Sequence, residues 1–199
     1  MCGTRAPLWE IRAERVVHDE DAQQLYFTNA QLRLRGVPIF WLPRMRLPDP
    51  TLDRATGFMT PRVRTSDLLG TGLKLPYFIT MGEHRDLRLT PYVSRNTRTL
   101  EARYRQAFAN GTIEINGAFS DDTLADDPRS YLFAEGHFDL SRDFQLTFDI
   151  EAASDDAYLL DYGYADKDRL DSAISVIRVR DADLFQTSLT YYESLRDDE

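Results

Sequence analysis

The strongest constraint on this chain is an alternation of apolar and polar residues with a period of two. Residues 143–151 read DFQLTFDIE, in which Phe144, Leu146, Phe148 and Ile150 alternate with Asp143, Gln145, Thr147, Asp149 and Glu151. Successive side chains of an extended strand point to opposite faces, so this run has one apolar face and one polar face; a helix would scatter both sets around its circumference. Leu87, Leu89 and Val93 stand against Asp86, Arg88 and Thr90 in the same way. Further strand candidates are 9–17, 25–34, 73–80, 99–108, 112–120, 131–140, 171–179 and 184–192. The run 99–108 contains good helix formers, yet Leu100, Ala102, Tyr104 and Phe108 keep an even spacing that predicts a strand. Asn110-Gly111 between two such runs is a hairpin signal, because both residue types tolerate positive φ. Residues 95–97 and 141–142 read as further short connections. The pattern predicts an all-β, meander-like chain.

Prolines break the pattern once. Pro43, Pro48, Pro50 and Pro61 crowd the stretch 43–66, with Gly57 among them. Proline fixes φ and removes a ladder donor, so an ordered irregular connection is expected there. Strands before it read as short. Those after it run to about 9–11 residues, the length a tilted strand needs to cross a bilayer. A boundary near residue 66 follows, with one domain at 1–66 and a second at 67–199.

Composition narrows the function classes. Of 199 residues, 42% are hydrophobic, enough to bury a core and escape disorder. The longest apolar run, 37–42, is far too short for a spanning helix, although alternating strands can cross a membrane with no such run. With 24 Lys+Arg against 33 Asp+Glu, the net charge of -9 argues against a nucleic-acid partner, which requires a basic face. One cysteine, Cys2, excludes an internal disulfide framework and a Cys-rich zinc site. His18, His84 and His137 lack ligand spacing. His18-Asp19 reads either as a base with its orienter or as a turn. Gly70-Thr71-Gly72 has no third glycine at the offset a dinucleotide loop needs. Paired aspartates at 121–122, 126–127 and 155–156 read as solvated loop charge, and the Asp166–Asp168–Asp171 series lacks a calcium loop's glycine. No catalytic residue, metal ligand or cofactor is expected, and the chain does not read as an enzyme. Tyr77, Tyr131, Tyr158, Tyr164 and Tyr191-Tyr192 fall at strand ends, where they suit either a membrane-interface girdle or an ordinary core. No apolar leader segment follows Met1, so either the protein stays in the cytoplasm or the chain starts inside a longer precursor.

Several motifs resemble the LPS-assembly protein LptD family, the outer-membrane translocons for lipopolysaccharide. In order they are Cys2 with Trp9, His18-Asp19, Asn29-Ala30, Gly36-Val37-Pro38-Ile39-Phe40 with Pro43, and Arg54 with Gly57-Phe58-Met59 and Pro61. Then come Leu75-Pro76-Tyr77, Asp86 with Leu89-Thr90-Pro91, Leu100-Glu101 with Arg103-Tyr104-Arg105, and Ser154-Asp155 with Tyr158. Thr56 and Met59 stand where the family pattern has serine and leucine. The specificity lies in the order and spacing of these pieces, which span most of the chain.

The resemblance implies the C-terminal part of a periplasmic β-jellyroll over 1–66, followed by the first antiparallel strands of an outer-membrane β-barrel over 67–199. It implies that the chain is an internal fragment of a longer protein, unable alone to insert and close. Trp9, Ile11, Leu32, Leu34, Val37, Ile39 and Phe40 become candidates for an apolar lipid groove, with ordinary core as the other reading. Pro76 and Pro91 become candidates for a lateral gate, or else simply shape strand ends. Cys2 would pair with a cysteine outside this chain. Implied partners are lipopolysaccharide, the outer membrane, an LptE-type plug lipoprotein and an LptA-type periplasmic bridge protein. Two alternatives stay open: a soluble β-jellyroll or sandwich that binds a lipid or sugar, and a piece of an unrelated porin-like barrel.

Overall fold

The computed structural model describes residues 9–20, 24–49 and 55–196, which form two compact units divided between Gly57 and Phe58. Cys2 and Arg54 lie outside the described residues. Both units are antiparallel β-sheet, so the chain is all-β.

The first unit is a four-stranded sheet: β1 (Trp9–Arg12), β2 (Arg15–Asp19), β3 (Gln24–Leu34) and β4 (Val37–Pro48). The central β3 pairs with β4 along one side and with β2 and then β1 along the other. Arg35 and Gly36, both at positive φ (48° and 81°), close a two-residue hairpin between β3 and β4, a turn whose twist matches that of its strands. The expectation of an irregular connection from residue 43 is corrected here, because β4 runs unbroken through Pro43 to Pro48. Among the described residues β4 pairs only with β3, and an edge strand tolerates proline where its missing N–H faces away from the ladder. The ladder also bends around these residues, with a register shift at Leu32/Arg33 and a left-handed Asn29 (φ 52°). The strands before the prolines are therefore not all short; β3 and β4 have 11 and 12 residues.

The second sheet holds β5 (Gly57–Phe58), β6 (Arg62–Ser66), β7 (Gly70–Lys74), β8 (Tyr77–Thr80), β9 (Arg85–Val93), β10 (Thr97–Phe108) and β11 (Gly111–Asp122). It continues with β12 (Arg129–Asp139), β13 (Phe144–Ala153), β14 (Arg169–Arg180) and β15 (Asp183–Ser194). From β9 to β15 the sheet is a plain meander in which each strand pairs with the next. A one-turn helix, α1 (Tyr158–Asp161), sits in the connection between β13 and β14. The proposed single strand 73–80 is two strands, β7 and β8, broken at Leu75-Pro76; both pair with β9.

The Asn110-Gly111 hairpin forms, but neither residue takes a positive φ. Gly111 is required by close packing instead: a Cβ there would stand 2.2 Å from the His137 carbonyl oxygen.

Register decides what this sheet does. Arg105, Arg103, Glu101, Thr99 and Thr97 of β10 lie opposite Asp86, Arg88, Thr90 and Tyr92 of β9 and opposite Glu114, Asn116, Ala118, Ser120 and Asp122 of β11. Leu100, Ala102 and Tyr104 lie opposite Pro91, Leu89 and Leu87 on one side and Phe119, Gly117 and Ile115 on the other. The second set continues through Leu132, Ala134 and Phe138 to Leu146, Phe148 and Ile150. The sheet therefore has one mainly apolar face and one mainly polar face, and at the end covered by the α1 connection burial is inverted between them, whereas in β13 Phe144, Leu146 and Phe148 are half-buried and Gln145, Thr147 and Asp149 exposed. Leu100 (47%), Phe119 (58%) and Leu189 (73%) are exposed on the apolar face, while Thr97, Thr99, Ser120 and Arg129 are buried on the polar one. A water-soluble sheet does the reverse.

Candidate functional site

The polar face is covered at one end by the connection that carries α1. Its tyrosines fall at 158, 162 and 164, and the i, i+4 pair Tyr158/Tyr162 lies on one side of the helical turn. The turn is started by Asp155, whose Oδ1 accepts the Ala157 N–H at 3.0 Å. Tyr158 and Tyr162 are fully buried. The Tyr158 hydroxyl is 2.6 Å from Ser120 Oγ, and the Tyr162 hydroxyl is 2.6 Å from Thr97 Oγ1 while donating to Asp122 Oδ2 at 2.8 Å. Tyr164 stacks on Tyr162 (centroids 5.4 Å apart, planes at 9°), contacts Tyr131 and donates to Glu101 Oε1 at 3.0 Å. Burial raises the Tyr158 and Tyr164 hydroxyls above the ordinary phenol range, so both stay protonated at any physiological pH.

Arg129 ties this cluster to the sheet. Its guanidinium donates to Asp122 (3.0 Å), Asp161 (2.9 Å) and Asp155 (3.2 Å) and lies over the Tyr158 ring at 5.1 Å. Arg129 and Asp122 are nearly inaccessible. The planar fork of arginine suits such a multi-carboxylate contact; a lysine could not span it.

Beside the tyrosines lies a cavity of about 220 Å³. Arg64, Lys74, Arg88, Arg103, Glu101 and Asn116 line it, with Tyr131 and Tyr164 as its aromatic walls and Gly163 at its margin. Gly163, at φ 57°, lets the connection lie close to Arg64; a Cβ there would stand 3.1 Å from Nη2. Glu101 pairs with Lys74, and Arg103 makes a two-pronged contact with Glu114 (2.8 and 2.7 Å). Among the described residues no group of three or more His, Cys, Asp or Glu is placed to hold a metal ion.

The motif residues fall in three places. β1 and β3 pair Trp9 with Leu34 and Ile11 with Leu32; β3 and β4 pair Leu34 with Val37 and Leu32 with Phe40. Cross-strand partners share a face, so register gathers the groove candidates, with Ile39 at the irregularity between Pro38 and Phe40. Ile11, Leu32 and Leu34 are half-buried; Val37, Ile39 and Phe40 are exposed. Pro76 marks the β7/β8 break, and Pro91 lies in β9 opposite that break, its carbonyl accepting the Leu75 N–H at 3.0 Å. His18 contacts Asp49 rather than forming a unit with Asp19. Tyr131, Tyr158 and Tyr164, read above as girdle or core, pack with one another on the polar face. Sequence reading missed Arg129 and the arginines of the cavity, since only register reveals which charges meet.

The class defined by these features is an all-β protein whose larger sheet exposes large apolar residues on one face and, beneath the α1 connection, buries polar ones on the other. Comparison with known proteins shows what the chain is similar to. A model described as LPS transport system D (LptD) matches residues 127–199. Curated proteins named LPS-assembly protein LptD match 77–96% of the chain. That of Idiomarina loihiensis is 28% identical over 81% of this chain and 22% of its own length. That of Pseudoalteromonas atlantica is 29% identical over 96% and 24%, and that of Shewanella oneidensis 29% identical over 77% and 20%. The chain is thus similar to LptD along most of its length, as its motifs indicated, and spans a fifth to a quarter of these relatives.

Proposed function

We propose that the chain serves lipopolysaccharide assembly at the outer membrane, as part of an LptD-type translocon that inserts lipopolysaccharide into the outer leaflet. The observation that carries this reading is the inverted second sheet. Large apolar residues left outward along one face of a seven-strand meander (Leu100, Phe119, Leu132, Leu189), with Thr99, Ser120 and Arg129 buried on the other, are what a bilayer-spanning β-barrel requires. In this reading residues 67–199 contribute barrel strands, and residues 1–66 the end of a periplasmic jellyroll whose groove is lined by Ile11, Leu32, Leu34, Val37, Ile39, Phe40 and Trp9. Lipid chains travel along the groove, and sugars through the polar interior. Pro76 and Pro91 weaken the ladder at β7–β9 and ease lateral release of the lipid anchor. Cys2 joins a cysteine beyond this chain, an LptE-type lipoprotein plugs the barrel, and an LptA-type bridge delivers the substrate. The role is transport and assembly, with no catalytic step.

The test is a cysteine scan of β10 within the intact protein in bilayers, with an environment-sensitive label and bromine-bearing lipids. Labels at positions 100, 102 and 104 should be quenched and those at 99, 101 and 103 should not. Equal solvent access on both faces would favour a soluble lipid-binding sandwich. For the gate, replacing both Pro76 and Pro91 by alanine should slow delivery of lipopolysaccharide to the cell surface; an unchanged rate removes the gate and leaves the barrel standing.

A further inference from the structure

We propose that the cavity between β6, β7, β9, β10 and the Tyr164 segment is an anion site that takes a phosphate monoester. The first ground is charge. The chain carries a net charge of -9, yet four cations line this cavity, Arg64, Lys74, Arg88 and Arg103, against one carboxylate, Glu101. Among the described residues neither Arg64 nor Arg88 has a carboxylate within ion-pair distance, whereas Lys74 and Arg103 each have one.

The second ground is register. Arg88 lies directly opposite Arg103 across β9 and β10, and Arg62 directly opposite Lys74 across β6 and β7. Like charges facing each other across a ladder are destabilising, and here both members of one such pair, Arg88 and Arg103, line the cavity together with Lys74 of the other. A bound dianion removes that repulsion. The third ground is shape. Guanidiniums reaching in from three strands and an ammonium from a fourth surround a centre with several donors, which suits the oxygens of a tetrahedral phosphate better than a flat carboxylate served by one fork. Tyr164 closes one side with its hydroxyl committed to Glu101, which keeps that carboxylate turned to Tyr164 and Lys74. The volume of about 220 Å³ accommodates a phosphate with its water but no acyl chain.

The site stands on this geometry; filling it with a lipid-borne phosphate rests on the assembly role proposed above. The intact protein in a maltoside is titrated with inorganic phosphate and, separately, with phosphatidic acid in mixed micelles, using phosphatidylcholine as the blank. Binding is read by calorimetry and ³¹P line width. Binding of either probe, weakened about tenfold by Arg88→Gln or Arg64→Gln and partly kept by Arg88→Lys, supports the site. Inorganic phosphate binding identifies the free group as sufficient; binding of phosphatidic acid alone identifies the lipid-borne source. Arg88→Gln should also raise the phosphate-free unfolding midpoint, since it removes a repulsion. Failure of both probes to bind, equal binding by the glutamine variants, or a lowered midpoint in Arg88→Gln overturns the proposal. Phosphate binding without lipid quenching of β10 would keep this site and remove the barrel.

Discussion

The two sheets are built from strands of similar length, 11 and 12 residues in β3 and β4 against 12 and 12 in β10 and β11, yet they treat their faces differently. In β3 the apolar positions switch from odd (Leu25, Phe27) to even (Ala30, Leu32, Leu34) at Asn29, whose backbone is left-handed. Three prolines then remove donors from β4, which itself continues, and a register shift at Leu32/Arg33 offsets its ladder with β3. From β9 to β13 no such switch occurs, and each face keeps its parity from strand to strand across all five strands, the apolar one through Leu89, Ala102, Gly117 and Leu132. Strand length therefore does not distinguish the regions, but continuity of parity does. A regular ladder hands its facing from strand to strand, so one bilayer-facing surface can extend over the whole sheet. An interrupted ladder curls locally and suits a smaller apolar patch.

The largest effect should come from breaking the cover on the polar face. Arg129→Ala leaves Asp122, Asp155 and Asp161 without their shared cation, and Asp122 is buried. Removing one partner of a buried pair costs roughly 3–5 kcal/mol. The unfolding midpoint in denaturant should fall accordingly, and the tyrosine environment of the α1 connection should be lost with it. A loss under 1 kcal/mol would mean that the cover is not held through Arg129.

Next in size is a charge placed on the apolar face. Leu132→Lys puts an ammonium on the outward side of β12, where Leu132 is 47% exposed. Facing lipid near the bilayer midplane, lysine costs about 2–4 kcal/mol; facing water, an exposed leucine-to-lysine change stays within roughly 0.5 kcal/mol. Asn116→Lys, one strand away on the polar face, is the control and should cost much less. Unfolding from bilayers of the two variants compares the faces directly, and equal costs would erase the distinction between them.

This contrast was legible in the sequence only in part. Alternation in 143–151 and 86–93 gives strands and their two faces, because the side-chain period is local information. It does not say which face is covered. That depends on Tyr158 and Tyr162, which reach Ser120 and Thr97 across 38 and 65 residues of chain. The cavity was illegible for the same reason: Arg88 and Arg103 are ordinary strand charges until register sets them opposite each other. The LptD-like motifs were legible because they are short and ordered along the chain, and the comparisons with LptD proteins bear that resemblance out.

A smaller change sharpens the same boundary between cover and sheet. Tyr162→Phe keeps the ring stacked on Tyr164 but deletes the hydroxyl that joins Thr97 to Asp122. Leaving buried partners unsatisfied costs about 1–3 kcal/mol. Amide exchange should quicken in the α1 connection first, with β10 and β11 keeping their protection, since their ladders are intact. Uniform loosening of the whole sheet would show that cover and sheet unfold as one unit.

The smallest effect has the opposite sign and lies in the irregular sheet. The dipeptide Asn110-Gly111 carries the sequence signal for a turn with two positive φ angles, yet that geometry occurs at Arg35-Gly36. Arginine has no side-chain acceptor with which to stabilise the left-handed region, where its Cβ crowds the following carbonyl oxygen. Arg35 is exposed, so a substitution there changes backbone preference with little loss of packing. Asparagine tolerates this region through local hydrogen bonding, and Arg35→Asn should stabilise the hairpin by about 0.5–1 kcal/mol. Slower amide exchange near the turn of β3 and β4, with β10–β13 unchanged, is the expected outcome. If exchange in β10–β13 slowed as well, the two sheets would share one unfolding transition, and the parity difference between them would carry no separate stability.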